Sequence, residues 1–318
     1  MPLYVGDNEI FGGNASSPED TKVNDLEIKV SGVNDFSASV SLGKSNEGAH
    51  LGQENTALGG FALSSINGGN KNTGIGSKAL QAQGTNYSTA VGVQAGATST
   101  GDYNTSVGMD AYLGYSIGGN VPTGEKNTII GARAGYQLDG GSNNVFVGYE
   151  AGTGQTNTNF SIRNGSGNVL IGSNVLFDYS DISNHVILGS NNTTDLFCMA
   201  TTIQSLSDKR DKKDIRGVTA GLDLVNDLRP VEFIWDARDK NFQRNGSKDC
   251  GFIAQELKEV QEKYGLSEEL RLVNDTTFID KMTASPARLL PILVKAIQEM
   301  SNKIELLESK LERNGIYL

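Results

Sequence analysis

Between residues 55 and 189 one hydrophobic–polar phrase keeps returning: Asn or another small residue, Thr, a third residue, a branched apolar residue, then Gly. It reads NTALGGFAL at 55–63, NTGIGSKAL at 72–80, STAVGVQAG at 88–96, NTSVGMDAY at 104–112 and NTIIGARAG at 127–135, with looser copies from Asn144, Asn168 and His185. The phrase glycines Gly59, Gly76, Gly92, Gly108, Gly131, Gly148, Gly172 and Gly189 are spaced by 17, 16, 16, 23, 17, 24 and 17 residues. A unit of 16–17 residues is too short for a helix pair or a propeller blade and suits one rung of a β-solenoid or β-roll. The two long spacings predict loops at 114–122 and 156–167 that project from one face.

Each column of the rung carries an expectation. The apolar residue before each glycine (Leu58, Ile75, Val91, Val107, Ile130, Val147, Ile171, Leu188) is expected to stack inward on its equivalent in the next rung. The glycine is expected to supply a positive φ or a close backbone approach. The small residue three places on, Ala62, Ala79, Ala95, Ala111, Ala134 and Ala151, suits a crowded axis, and the Asn column suits stacked amides at a corner. With aromatics at 7% of the chain, one rung buries little, so three chains are expected to share the core.

Other periods flank the repeat. Residues 1–40 do not repeat, and alternation predicts strands at 26–32 and 36–43, a cap on the repeat. Near the C-terminus Leu290, Leu293, Ile297, Met300, Ile304, Leu307 and Leu311 step by three and four, an a/d seam that favours self-association. Pro286 and Pro291 predict a start with an early break, and Gly315 a stop.

Composition divides the chain near residue 206. Residues 1–206 hold 33 of the 39 glycines and a net charge of −9, against 6 glycines and −1 in residues 207–318. The overall charge of −10 argues against nucleic acid as a partner. No stretch reaches the roughly 20 apolar residues of a membrane span, and the N-terminus lacks the basic and apolar regions of a signal peptide. Cys198 and Cys250 cannot build a disulfide framework, and His50 and His185 stand too far apart for a zinc site, so neither metal nor cofactor is expected. Cys250 is expected to be a buried thiol, and Trp235, alternating with Phe233 and Val231, a strand core residue.

After the repeat come SDKRDKKDI (207–215), LDLVNDLRPVEFIWD (222–236), CGFIAQELKEV (250–260) and the closing seam helix. In order, spacing and wording these resemble the C-terminal intramolecular chaperone of endosialidase-type phage tailspikes and tail fibres, a self-cleaving module that also occurs in myelin regulatory factor. The matching residues are Ser207, Asp208, Arg210 and Lys212; Pro230, Val231, Phe233 and Trp235; Gly251, Ile253, Ala254, Gln255 and Glu256; and Leu293, Ala296 and Ile297. The repeat also resembles the shaft and head repeats of phage tail fibres and the β-roll heads of trimeric autotransporter adhesins.

The resemblance implies a scissile bond at Leu206–Ser207, with Ser207 as nucleophile and Lys212 as its base. The chemistry is coherent, because a lysine removes a hydroxyl proton only when neutral, which requires lowering its pKa from about 10.4 by burial or nearby cations. Arg210 and Lys213 flank it, Asp208 is placed to brace Arg210 or Lys212, and Gln255 to donate to the oxyanion. The implied architecture is mainly β. It comprises an N-terminal cap or virion attachment region (1–40), a homotrimeric Gly/Asn-rich shaft that binds receptor (41–200), a linker (201–206), a small α+β chaperone domain with autoprotease activity (207–289) and a coiled-coil helix (290–318). The implied partners are two further copies, other virion tail proteins, and a host surface glycan or protein receptor, with no nucleic acid and no membrane insertion. The location is the virion, after assembly in the host cytoplasm. The alternative function is a tailspike that also degrades host glycan. It needs two placed carboxylates, whereas residues 41–200 carry only scattered acidic residues. A membrane-anchored DNA-binding regulator is excluded for want of a basic domain and a span.

Overall fold

In the computed structural model the described residues are 52–82, 84–114, 121–153, 163–175, 182–190, 193, 197, 205–238, 244–278 and 281–315, with strand backbone also described within 4–42; side chains are described for neither those early strands nor residues 275–278 and 281. The predicted loops at 114–122 and 156–167 lie largely outside these residues, as do His50 and Cys198. The chain forms two compact units, Met1–Asn191 and Asn192–Leu318.

The first unit is a parallel β-solenoid. A hairpin of β1 (Tyr4–Val5) and β2 (Asn8–Glu9) precedes β3 (Thr21–Val23), β4 (Leu26–Ser31) and β5 (Ser39–Leu42), which pair antiparallel in sequence order. From β5 onward the pairing turns parallel and runs through one short strand per rung: β6 (Thr56–Leu58), β7 (Thr73–Ile75), β8 (Thr89–Val91), β9 (Thr105–Val107), β10 (Thr128–Ile130), β11 (Val145–Val147), β12 (Val169–Ile171) and β13 (Val186–Leu188). Equivalent residues pair in register, as Thr128 with Val145 and Ile130 with Val147. The turns ladder as well: the N–H groups of Lys78, Gln94, Asp110, Arg133 and Glu150 each donate to a carbonyl of the preceding rung.

Three predicted columns stand as expected. The phrase glycine has a φ of +126° to +135° at Gly76, Gly92, Gly108, Gly131 and Gly148, a region closed to other residues. A Cβ on Gly131 would also lie 2.2 Å from the carbonyl oxygen of Gly148. The alanine column is buried throughout. At the corner, the backbone N–H groups of Asn72, Asn127, Asn144 and Asn168 donate to Oδ1 of Asn55, Asn104, Asn127 and Asn144, at 2.8–3.0 Å. Ser88 continues the ladder between Asn72 and Asn104.

The inward direction expected for the column before the glycine is corrected. The middle residue of each strand points inward, and Ala57, Ala90, Ser106, Ile129, Phe146 and Leu170 are buried within a single chain. The column before the glycine faces out instead: Leu58, Ile75, Ile130, Ile171 and Leu188 are exposed and the intervening valines half-buried. In a three-residue strand the first and third side chains share one face, and here the interior is filled from the other face and from the turns, by Leu63, Ile66, Tyr112 and Leu138. No second chain is needed to close it.

The second unit is small and α+β. It contains α1 (Leu222–Asp227), the antiparallel pair β14 (Val231–Ile234) and β15 (Lys248–Gly251), α2 (Ala254–Lys263), α3 (Ser267–Leu270), the pair β16 (Val273–Phe278) and β17 (Lys281–Ala284), and α4 (Leu290–Arg313). Leu224, Leu257, Leu270, Leu272, Leu289 and Ile292 form its core, with α1 packed on α4. Pro286 opens a short 3-10 turn, and Pro291 sits in the first turn of α4 without breaking it, where its missing N–H has no helical partner to lose. The helix stops at Arg313, and Gly315 takes a φ of 72°.

Candidate functional site

Leu206, 99% exposed, leads into a single 3-10 turn, Lys209–Asp211. Asp208 caps this turn by accepting the Arg210 N–H at 2.8 Å, and the same carboxylate takes a two-pronged bond from the Arg210 guanidinium, with 2.6 Å for the closer nitrogen. This bond to Arg210 holds the Asp208 carboxyl below the usual carboxylate range and raises the Arg210 guanidinium. The turn folds the chain back far enough for Lys212 Nζ to donate to Ser207 Oγ at 2.6 Å. Ser207 and Lys212 are both exposed in the single chain.

Of the predicted supporting residues, Asp208 braces Arg210, and that pairing occupies the Arg210 charge. Gln255 stands exposed on the first turn of α2, and among the described residues no hydrogen bond joins it to Ser207 or Lys212. The motif residue beside it has a role that sequence reasoning missed. Glu256 ion-pairs with Arg229, whose Nε donates to it at 3.0 Å, so β14 and the start of α2 are tied across the unit. That bond depresses the Glu256 carboxyl. The only sequence signal was an Arg–Pro and a Glu kept within two separated motifs.

Other ties position the helices of the second unit. Glu299 of α4 accepts the Leu222 N–H at 2.8 Å, placing a carboxylate at the N-terminus of α1; a Cβ on Gly221 would meet the same carboxylate at 2.4 Å. Asp227 accepts from both Lys263 and Tyr264 at 2.7 Å; the bond to Asp227 pushes the Tyr264 hydroxyl up to about 12.

Two readings of single residues are corrected. Trp235 lies one residue past β14 and is half-buried, edge-on to Phe233 at 5.2 Å, with its indole N–H on Asp249 at 3.2 Å and the Arg244 guanidinium over its ring. It is a bridging residue between strands and loop, because β14 is too short to bring it inside. Cys250 is exposed, since on the two-stranded ribbon of β14 and β15 it pairs with the outward Glu232.

The predicted seam lies on one side of α4. Leu290, Leu293, Ile297, Met300, Ile304 and Leu307 are all exposed and Leu311 is half-buried, while Ile292 and Ala296 on the flanking face enter the core. No described helix is long and apolar enough to cross a membrane.

The chain is thus a parallel solenoid followed by a small α+β unit that opens on a Ser–Lys pair. Residues 207–266 match the model of the family described as "Chaperone of endosialidase". No curated protein and no solved structure matches the chain.

Proposed function

We propose that this chain is a bacteriophage tail fibre or tailspike component that binds a host surface glycan or protein through its repeat body. Its C-terminal domain is an intramolecular chaperone that drives trimerisation and then cuts the chain at Leu206–Ser207. The observation that carries this reading is the 2.6 Å bond between Lys212 Nζ and Ser207 Oγ at the first residue of the matched family segment. Ser207 Oγ attacks the Leu206 carbonyl carbon while neutral Lys212 takes the hydroxyl proton and returns it to the departing Ser207 nitrogen. That departure frees the Ser207 amine, and water then hydrolyses the resulting ester, releasing the Leu206 carboxylate and restoring the Ser207 hydroxyl. The pair is open to solvent in one chain. The burial that makes a lysine neutral therefore has to come from neighbouring copies, which couples the cut to assembly.

Binding is favoured over glycan hydrolysis because two acidic groups of the solenoid, Asp102 and Glu150, are held in structural roles. Asp102 accepts the Asn86 N–H at 2.7 Å, and Glu150 pairs with Arg133 at 2.6 Å. Residues before the first rung are assigned to attachment within the virion tail. A denaturing gel of the expressed chain tests the central claim: two fragments meeting at Leu206–Ser207 from wild type, and one 33.8 kDa chain from Ser207→Ala. Uncut wild-type trimer overturns the autoprotease assignment.

A further inference from the structure

Among the described residues of the first unit, nothing covers the outward face of the solenoid sheet. Its third strand position is Leu, Ile or Val in every rung; its first is Thr in β6–β10 and Val145, Val169 and Val186 thereafter. Neither column carries a charge in any rung. The bare glycine column beside them leaves the face flat, and the side chain after it adds Val93, Met109 and Tyr149, each about half exposed. Charge begins only at the margins, with Lys71 and Lys126 on one side and Lys78, Asp110 and the Arg133–Glu150 pair on the other. An exposed apolar strip rimmed by polar side chains marks an interaction surface.

We propose that copies of this chain associate through this face, parallel and in register, each around its own closed core. This rests on the trimer reading and replaces the shared core with contact between finished solenoids. The occupant follows from period and from area. The strip repeats at the strand spacing of about 4.8 Å over all its rungs. A surface that stays in step with it along its whole length needs the same rung, and this chain supplies one. Side chains left roughly half exposed over that length offer on the order of 800 Å² per copy, one partner's share of a standard interface. Independently, α4 exposes the Ile297, Met300, Ile304 and Leu307 seam, which parallel copies in register would cover. The Thr-to-Val change makes the contact tighter towards β13.

The test uses full-length protein carrying Cys198→Ser, Cys250→Ser and Ser207→Ala, with single cysteines at Ile75→Cys, Ile171→Cys or the rim control Lys78→Cys. Mild oxidation should give a disulfide-linked dimer band in a denaturing gel for both face variants, at least fivefold stronger than for the control. Antiparallel pairing would cross-link neither face position to itself and overturns the proposal. Thr128→Cys, a smaller change on the same face, replaces any variant that fails to fold. Sedimentation separates the readings: a monomeric parent sinks trimerisation altogether, whereas a trimer with no preference for face over rim sinks the face alone.

Discussion

Oδ1 of Asn127 accepts the backbone N–H of Asn144, one rung on, at 3.0 Å, while Nδ2 of Asn127 donates to the Gly141 carbonyl at 2.9 Å. Both asparagines are at most 1% exposed. One amide thus satisfies two backbone groups that the corner would otherwise bury unpaired. Asn127→Ala strands both, at about 1–3 kcal/mol each, so the solenoid should lose about 3 kcal/mol in chemical denaturation. Asn70→Ala, in the parallel outer ladder where the Gln53 N–H it receives is exposed, should cost under about 1 kcal/mol because water replaces it.

The glycine column makes a sharper contrast. Gly131→Ala combines a forbidden φ of +134° with a Cβ set 2.2 Å from a backbone oxygen, and neither can relax without shifting the next rung. It should destabilise the solenoid by about 3 kcal/mol or more. A Cβ on Gly60 meets nothing within 4 Å, so Gly60→Ala should stay within about 0.5 kcal/mol of wild type. Denaturation midpoints of the two variants check this.

Removing either member of the Ser207–Lys212 pair should stop processing without unfolding the domain, since both side chains are exposed and absent from its core. Ser207→Ala and Lys212→Met should each run as an intact trimer. Ile297→Asp with Ile304→Asp breaks the α4 seam and should stop trimerisation and cutting together. A monomer that still cuts would show that assembly does not gate the reaction.

The two units should answer pH with opposite signs. In the C-terminal unit Asp227 is held below the usual carboxylate range by Lys263 and Tyr264, Asp249 by the Trp235 indole and the Cys250 N–H, Glu256 by Arg229 and Glu299 by the Leu222 N–H. Depressed carboxyls stabilise above their unfolded value of about 4, and that contribution is lost as pH falls through their folded values. The unit should therefore weaken in acid, followed by fluorescence of Trp235, the single tryptophan. In the solenoid, burial raises the Asp139 carboxyl despite the nearby Arg163 charge. Its contribution is fullest below the unfolded value and is lost as pH rises through the folded one. Asp139→Asn should raise the solenoid's midpoint at pH 7 and flatten its pH dependence.

The repeat itself determined the rung, its period and three of its columns. A turn closed to any Cβ demands glycine, a corner with unpaired amides demands asparagine, and a tight axis demands alanine, so each local constraint writes one residue type into every copy. The Ser207–Lys212 pair was named from the family resemblance, and the contact between the two is made within one short turn. The Arg229–Glu256 tie was not legible, being made across 27 residues of chain. Nor was the direction of the core. Its residues vary from rung to rung because two positions six apart exchange volume: Ala57 and Gly74 accompany Leu63 and Leu80, Ser106 accompanies Tyr112, and Ile129 and Phe146 accompany Gly135 and Gly152. A Cβ on Gly152 would stand 2.6 Å from the Phe146 ring, so the exchange is steric. In five rungs a large residue at one position thus faces a small one at the other, while Ala90 and Gly96 of the β8 rung are both small. This exchange becomes visible once the rung has closed, whereas the outward column, which looked like core in sequence, owes its regularity to the flat face it builds.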